Sequence, residues 1–293
     1  MADTNELPKP GRVAVIGAGV IGTSVAFAFA ASGLAVLLID RPDKDWGPVQ
    51  RRLRDHQRLA RFTSPTRSRV DLQTIVTSTT LADVEGASLI VENVDEVWEV
   101  KRDVYRGLAK LRLSGTAVAA NTSAFPIARL AELLPDPSAV IGVHFMNPTD
   151  RIATVEVVRG PSTSPATVEA TLAFLARIGK AGIVVNDAAG FVINRILMVM
   201  VNQAAQLVEE GVAEAWQIDD LFKGCLGHRM GPLRTADLIG IDTIVNTLRV
   251  LREARDDAMF EPAALLLKMV QLEHLGMKTG RGFYRYDDEG QNA

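Results

Sequence analysis

Residues 12–40 read RVAVIGAGVIGTSVAFAFAASGLAVLLID, and this stretch decides the fold. An apolar, β-rich run over Val13–Ile16 predicts a first strand, and a group of glycines follows it at once. The helix formers of Thr23–Ala31 predict a helix, and Ala35–Ile39 predict a second buried strand that ends in Asp40. This order of strand, tight turn, helix and strand predicts the first unit of a parallel sheet.

Three glycines in the turn have the GxGxxG spacing of a dinucleotide site. Gly17 allows the tight turn, Gly19 lets a pyrophosphate approach the backbone, and Gly22 lets helix and strand pack closely. Val20 and Ile21 begin the helix, whose free N–H groups and positive dipole end favour phosphate binding. The alternative is a buried strand–helix corner without a ligand, because glycines punctuate many loops.

Asp40 lies eighteen residues after Gly22, close to the spacing of about 20 expected for a carboxylate that binds the adenosine ribose. A carboxylate bonds a ribose 2′-OH and repels a 2′-phosphate, so Asp40 favours NAD over NADP as the cofactor. Arg41 follows directly and is assigned to the same site. A cation at this point leaves NADP open as an alternative.

The composition is that of a large, well-packed chain, with 293 residues, 47% hydrophobic residues and a mean hydropathy of +0.12. This length accommodates two domains. The net charge of −3 is too balanced for a protein that binds nucleic acid or a membrane surface. The single Cys225 excludes an intrachain disulfide, and no basic start precedes an apolar run. We therefore expect a cytoplasmic protein without a signal peptide, and no pattern predicts a metal site.

Strand and helix patterns alternate as far as residue 188. They predict a doubly wound, mostly parallel sheet in an NAD-binding domain of residues 1–188. Beyond that point no strand pattern recurs and apolar residues follow helical spacing, so residues 189–293 predict an all-helical domain. The later strands are predicted at Leu89–Val91, Thr116–Ala120, Ala139–Val143, Ala153–Val158 and Gly182–Val185.

The helical domain is short for an independent core. Its first helix carries a dense set of apolar residues, and we expect these to form a homodimer interface. The residues are Ile193, Ile196, Leu197, Met198 and Val201.

An arginine-rich segment follows Asp40. Four arginines share one helical face, namely Arg51, Arg54, Arg58 and Arg61. Such faces are usually only solvated. The functional interpretation is a binding site for an anionic group on the substrate.

Polar side chains follow the carboxyl ends of three predicted strands, where the ligand crevice of a parallel sheet lies. They are Glu92, Ser123 and His144. A histidine is well suited to accept a proton near neutral pH, and a carboxylate on its other ring nitrogen fixes its tautomer. Glu156, on the next extended segment, is the nearest candidate in sequence for that carboxylate. On position alone, a satisfied buried histidine is an equal alternative.

Eight stretches of the chain point to one family: VIGAGVIGTSVA, VENVDEVWEVK, NTSAFPI, GVHFMNP, TVEVVRG, DAAGFVINRIL, MGPLRTADLIGID and LGMKTGRGFYRY. From Arg12 to Tyr286 the chain resembles the short-chain L-3-hydroxyacyl-CoA dehydrogenases, which include 3-hydroxybutyryl-CoA dehydrogenases. HFMNP with a glutamate twelve residues after its histidine, and GFVINR, are the most specific of these motifs.

The resemblance implies NAD-dependent oxidation of a 3-hydroxyacyl thioester. It assigns His144 as the general base, Glu156 as the carboxylate that orients it, and Ser123 as the partner of the substrate hydroxyl. It assigns Asn194 to positioning of the thioester. In this mechanism His144 takes the hydroxyl proton while a hydride leaves C3 for the nicotinamide. Glu92 and Lys101 match positions at the nicotinamide end of the cofactor site, to which we also assign Asn121.

Two departures from the family concern the acyl carrier. The hairpin between Asp40 and Asp83 is shorter than usual and has arginines where the family has lysines, and GHRM at 227–230 replaces a more apolar stretch. The arginine face could bind the phosphates of coenzyme A or the acidic surface of an acyl carrier protein. A carrier-protein branch of the family oxidises a glyceryl thioester on the way to hydroxymalonyl or methoxymalonyl polyketide extender units, and both carriers stay open at this point.

Two further alternatives are less favoured. A crystallin-like protein that binds NAD without catalysis does not need the four side chains Ser123, His144, Glu156 and Asn194, which are all present. A sugar-acid or carnitine dehydrogenase of the same superfamily needs a polyol or cation pocket that the sequence does not indicate.

Overall fold

The computed structural model describes residues 11–63, 70–123 and 125–286, apart from the side chains of Arg61 and Thr63. The chain divides into two compact units, Met1–Asp187 and Ala188–Ala293, one residue from the predicted boundary. The hairpin predicted between Asp40 and Asp83 has its turn signal at residues 63–65, and residues 64–69 lie outside the described residues. Among the residues that are described, no helix combines the length and apolarity needed to cross a membrane.

The first unit contains an eight-stranded sheet in the order β3-β2-β1-β4-β5-β6-β7-β8. The strands from β1 to β6 are parallel, and β7 runs antiparallel to β6 while pairing parallel with β8. The predicted doubly wound, mostly parallel sheet is thereby confirmed. The strands span Val13–Ile16 (β1), Val36–Ile39 (β2), Ile75–Ser78 (β3), Leu89–Glu92 (β4), Ala117–Ala120 (β5), Val140–His144 (β6), Thr154–Arg159 (β7) and Ala181–Asn186 (β8).

β3 is a strand that the sequence pattern does not predict. This strand pairs with β2 at the edge of the sheet, and only Ile75 of its four residues is buried. An edge strand with one covered position lacks the continuous apolar run that marks the buried strands. The central strands β1, β2, β4 and β5 are buried at every position. Each therefore has the continuous apolar run that predicts a buried strand.

Helices cover the two faces of this sheet. α1 is buried along most of its length and contributes Phe29 to the main core. The start of α5 follows from its sequence, because Ser164 accepts a hydrogen bond from the Thr167 N–H and Pro165 takes the first helical position. The helices of this unit span Val20–Ala31 (α1), Gly47–Thr63 (α2), Trp98–Leu108 (α3), Ile127–Ala131 (α4) and Pro165–Arg177 (α5).

The described part of the second unit is helical, as predicted, and Gly240 separates two of its helices. Gly240 has φ +105, a value that a residue with a side chain rarely adopts, and α8 ends there as α9 begins. The helices span Ile193–Glu209 (α6), Ala215–Leu226 (α7), Pro232–Ile239 (α8), Ile241–Arg255 (α9) and Ala264–Gln271 (α10). Their core includes Ile244, Leu248 and Phe260.

Two buried carboxylates organise the second unit around α8. Asp219 accepts the N–H groups of Leu233 and Arg234 at the start of that helix. Asp237, 1% exposed, accepts the N–H groups of Phe283 and Tyr284 and so holds the carboxyl-terminal segment against α8. Burial raises the pKa of Asp237, and the hydrogen bonds that it accepts act against this shift.

The predicted dimer surface needs a correction. Met198 and Val201 are 2% and 0% exposed and belong to the core of their own unit, because they lie on the inner face of α6. Leu197 is partly buried against the same core. Ile196 and Ile193 lie on the outer side, 64% and 45% exposed. The apolar surface of α6 is therefore narrower than the sequence indicated.

Candidate active site

Three of the predicted catalytic side chains form one hydrogen-bonded chain in the first unit. His144 Nε2 lies 3.1 Å from Ser123 Oγ, and His144 Nδ1 lies 2.9 Å from Glu156 Oε2. His144 and Glu156 are 4% and 7% exposed. Each ring nitrogen of the histidine thus faces one specific partner.

The sheet register explains this arrangement. His144 is the last residue of β6, and Glu156 lies directly opposite it on the antiparallel strand β7. Residues opposite each other across two strands point to the same face, with Cβ atoms about 4.5–5.5 Å apart. Ser123 comes from the segment just after β5, the neighbour of β6 on the other side. Three adjacent strands therefore supply the three groups.

This geometry fixes the histidine tautomer. The Glu156 carboxylate accepts a hydrogen bond, so the proton of neutral His144 lies on Nδ1 and donates to Glu156. The lone pair on Nε2 then points at the Ser123 hydroxyl, which donates to it. An imidazole held in this way can take a proton at Nε2, and the carboxylate stabilises the cation that results.

Glu96 is a participant that the sequence analysis missed. Its Oε1 accepts hydrogen bonds from the Ser123 N–H at 2.8 Å and from the Thr122 hydroxyl at 2.5 Å. Its Oε2 lies 3.3 Å from Lys101 Nζ. Glu96 therefore fixes the backbone of the segment that carries Ser123. Glu96 is one of three acids between Glu92 and Lys101, and no periodic pattern distinguishes it from Asp95 and Glu99.

Lys101 and Glu92 form an ion pair with both side chains fully buried. Lys101 Nζ contacts both Glu92 oxygens at 2.9 and 3.0 Å and donates to the Asn121 carbonyl at 2.9 Å. Burial raises the pKa of Glu92, while the Lys101 ammonium acts against the shift. With Glu96 Oε2 at 3.3 Å, four oxygens surround this ammonium, and the ion pair joins the ends of β4 and β5.

The glycine turn has the shape that a pyrophosphate needs. Gly17 has φ +98, and a Cβ on it would lie 2.5 Å from the carbonyl oxygen of Asn93. A Cβ on Gly22 would come within 1.9 Å of the Gly17 carbonyl oxygen. By contrast, a Cβ on Gly19 would meet no atom within 4 Å among the described residues. The turn is closed on the protein side and open at Gly19, above the N-terminus of α1, where Val20 and Ile21 present their N–H groups.

A cleft of about 530 Å³ continues from this turn along the carboxyl ends of β1 and β2. Its lining includes Gly19, Asp40, Arg41 and Lys44. Asp40 accepts the Ala18 N–H at 2.7 Å, which ties the carboxylate to the glycine turn. An adenosine ribose in this cleft would meet the carboxylate, so these residues fit NAD.

Three further residues predicted for the site, Arg41, Asn121 and Asn194, lie in different parts of the structure. Arg41 turns towards Asp43, with Nε 3.2 Å from its carboxylate. The Asn121 side chain donates a hydrogen bond to Asn93 Oδ1 at 2.8 Å and accepts one from the Phe145 N–H at 3.1 Å. It therefore links strand ends within the sheet. Asn194 lies on α6 in the second unit.

The predicted arginine face lies on α2. Arg51, Arg54 and Arg58 are exposed, and the side chain of Arg61 is outside the described residues. Arg52, which the pattern did not single out, turns instead towards the glycine turn and donates to the Ala18 carbonyl at 3.1 Å. The described arginine side chains of this helix therefore separate into an exposed group and one side chain directed at the turn.

Comparison with known proteins agrees with this geometry. Residues 12–188 match the 3-hydroxyacyl-CoA dehydrogenase NAD-binding domain, and residues 190–286 match the C-terminal domain of the same family. A probable 3-hydroxybutyryl-CoA dehydrogenase of Bacillus subtilis is 36% identical over 95% of this chain and 98% of its own length. A 3-hydroxybutyryl-CoA dehydrogenase of Bradyrhizobium diazoefficiens is 37% identical over 94% of this chain and 95% of its own.

A solved structure is similar over the same extent. The (S)-3-hydroxybutyryl-CoA dehydrogenase of Ralstonia eutropha has a TM-score of 0.89 at 33% identity, covering 96% of this chain and 100% of that one. The glycine turn, the Ser123–His144–Glu156 chain and both matched domains lead to one conclusion. This chain belongs to the 3-hydroxyacyl-CoA dehydrogenase family.

Proposed function

We propose that this protein oxidises a short 3-hydroxyacyl thioester of coenzyme A to the 3-oxoacyl thioester, with NAD as the oxidant. The observation that carries the proposal is the Ser123–His144–Glu156 chain at the carboxyl ends of β5 and β6, in the same unit as an NAD-type glycine turn. The names of the relatives, 3-hydroxybutyryl-CoA dehydrogenases, support a short acyl group and a coenzyme A carrier.

His144 accepts the proton of the substrate hydroxyl at Nε2. Glu156 holds the imidazole in the required tautomer and stabilises the imidazolium that forms. The substrate hydroxyl replaces the Ser123 O–H at Nε2, and the Ser123 O–H then donates to the substrate oxygen as it becomes a carbonyl. Glu96 keeps the Ser123 backbone in place. Asn194, by resemblance, contributes to positioning the thioester.

The bound NAD supplies the acceptor for the hydride that leaves C3. Asp40 would bind the adenosine ribose. Gly17 and Gly22 allow the close turn, Gly19 leaves room for the pyrophosphate, and the N–H groups of Val20 and Ile21 would bond it. Arg41 lines the same cleft, and its side chain turns towards Asp43. The buried Lys101–Glu92 pair supports the nicotinamide end together with Asn121. Deleting one partner of such a pair leaves an unpaired buried charge, which is costly.

Coenzyme A is the carrier that the comparisons favour, and they give no support to the acyl carrier protein. The exposed arginines Arg51, Arg54 and Arg58 are the candidate contacts for its phosphates, together with Arg61, which the sequence pattern adds to them. We also propose that the protein forms a homodimer through the second unit. Its proposed location is the reducing cytoplasm. The single exposed Cys225 fits such a setting.

The test is the rate of NADH formation on three substrates: 3-hydroxybutyryl-CoA, the same group on an acyl carrier protein, and its N-acetylcysteamine ester. We expect the highest kcat/KM on the coenzyme A thioester. The double variant Arg54→Glu, Arg58→Glu should lower kcat/KM for coenzyme A by about tenfold or more, because two charge-assisted contacts are lost. The short ester, which carries no phosphates, should change by less than about twofold.

The matched control is Arg106→Glu, Arg112→Glu, two exposed arginines at the end of α3 and in the segment before β5, with the same change in charge. It should leave all three rates nearly unchanged. A higher kcat/KM on the carrier-protein thioester would mean that the acyl carrier protein, and not coenzyme A, is the carrier. No NADH formation from any of the three thioesters would refute the proposed function.

A further inference from the structure

The adenosine end of the cofactor cleft holds an ion pair that the sequence analysis did not consider. Lys44 Nζ lies 2.9 Å from Asp40 Oδ2, and the two side chains are only 21% and 14% exposed. Lys44 also closes a backbone turn, since its N–H donates to the Arg41 carbonyl at 3.1 Å. The ammonium is therefore held beside the carboxylate that the ribose is expected to meet.

The lone pairs of Asp40 are almost fully used. Oδ2 accepts the Ala18 N–H at 2.7 Å in addition to Lys44, and Oδ1 accepts the Arg41 N–H at 2.8 Å. A carboxylate has about four acceptor positions, two on each oxygen. One position, on Oδ1, is left for a ribose hydroxyl. An Asp40 without Lys44 would accept both hydroxyl groups of the ribose.

The charges of Asp40 and Lys44 lead to the same conclusion as the count of acceptor positions. Burial acts to raise the pKa of Asp40, but the hydrogen bonds from Lys44, Ala18 and Arg41 and the charge of Lys44 outweigh it, so the pKa is lowered. Asp40 is a carboxylate whose charge is balanced by an adjacent ammonium. Such a pair repels a 2′-phosphate much less than a lone carboxylate does, and its cation attracts one.

Arg41 is a second cation with which Lys44 can be compared. It lies in the same cleft and carries the same charge, but it pairs with Asp43 through side chains that are 71% and 75% exposed. An ion pair this exposed is screened by water and contributes little. The cation that acts on Asp40 is therefore Lys44, which contacts the carboxylate directly and is more buried than Arg41.

We propose that Lys44 sets the cofactor selectivity of this chain by competing with the ribose for Asp40 and offering its ammonium to a 2′-phosphate. NAD remains the preferred cofactor, and NADP binds with an affinity that a lone carboxylate would not allow. The inference rests on the proposed use of this cleft for NAD.

The test measures binding and not catalysis. Dissociation constants for NADH and NADPH are determined by fluorescence titration for the unmodified protein and for Lys44→Met, which keeps a long side chain without the charge. We expect Kd for NADPH to rise about tenfold and Kd for NADH to stay equal or fall, because about 1.4 kcal/mol corresponds to a factor of ten. Raising the salt concentration should reduce this difference, since the lost interaction is ionic.

Two variants control the experiment. Lys44→Arg keeps the cation and should hold the ratio of the two constants within about threefold of its original value. Arg41→Met removes a charge from the same cleft and should also change the ratio by less than about threefold. Thermal melting of each variant confirms that it is folded.

A ratio that moves less than about threefold in Lys44→Met overturns the inference, as does an equal shift in Arg41→Met. These results leave the proposed function intact, because NADH still binds. If the unmodified protein binds neither dinucleotide, the cofactor site itself is refuted, and the inference with it.

Discussion

His144 lies between Ser123 and Glu156, with one partner on each ring nitrogen. Removing this imidazole leaves the glycine turn and the Asp40 cleft untouched. We expect His144→Gln to lower kcat by roughly 10²–10⁴-fold, the usual contribution of a positioned general base. The NADH dissociation constant should stay within about twofold of its original value.

The matched control for this prediction is His228→Gln, since His228 is exposed in the second unit. Steady-state kinetics and NADH titration on both variants make the comparison. A His144→Gln protein with more than about half of the original turnover would contradict the assignment of the base.

Sequence reasoning could reach His144, Ser123 and Glu156 because each follows or lies on a recognisable strand. Glu96 was beyond it, since its contacts with Ser123 and Lys101 depend on a loop path that no periodic pattern encodes. The same limit applied to Lys44. An i,i+4 spacing from Asp40 was visible, but the direction of the side chain became clear only from the fold.

At the scale of elements, the antiparallel direction of β7 determines the site. The alternating sequence of Thr154–Arg159 indicated a strand, but it carries no information on direction, which depends on how the connection from β6 returns. With β7 antiparallel, Glu156 is placed opposite His144. The edge strand β3 was missed for a different reason, because half-exposed residues in a short strand give no clear pattern.

The segment after residue 276 is joined to α8 through Asp237, and this contact can be tested by stability. We expect Asp237→Asn to lower the free energy of unfolding by about 1–3 kcal/mol, because an amide NH₂ would face backbone N–H donors. The melting temperature of the second unit should fall by about 5–10 °C.

Asp242→Asn is the matched control, since Asp242 pairs with Lys278 through side chains that are 34% and 45% exposed. A pair of this kind contributes at most about 1 kcal/mol. Equal melting temperatures for the two variants would show that Asp237 does not stabilise the carboxyl-terminal segment against α8.

At the scale of the whole molecule, the second unit leaves apolar side chains outside its own core. Ile196 and Leu207, on the outer face of α6, are 64% and 39% exposed. Exposed apolar side chains on one face of a helix are a candidate interface between proteins. We therefore expect a homodimer at micromolar concentration, with α6 contributing to the interface.

Sedimentation velocity measures the mass directly. The double variant Ile196→Glu, Leu207→Glu should shift the protein towards the monomer, because burying two carboxylates is costly. Val250→Glu, on α9 and 37% exposed, is the control with the same new charge. A monomer in the unmodified protein at these concentrations would end the dimer proposal.

The pairing of His144 with Glu156 limits how chain length can vary during evolution. A deletion of one residue inside β7 ahead of Glu156 would turn this side chain to the opposite face of the sheet, since successive residues of a strand alternate. An insertion between β6 and β7 leaves the register of both strands intact and is absorbed by the loop. Functional descendants of this chain should therefore differ in length between these two strands and keep a constant length within them.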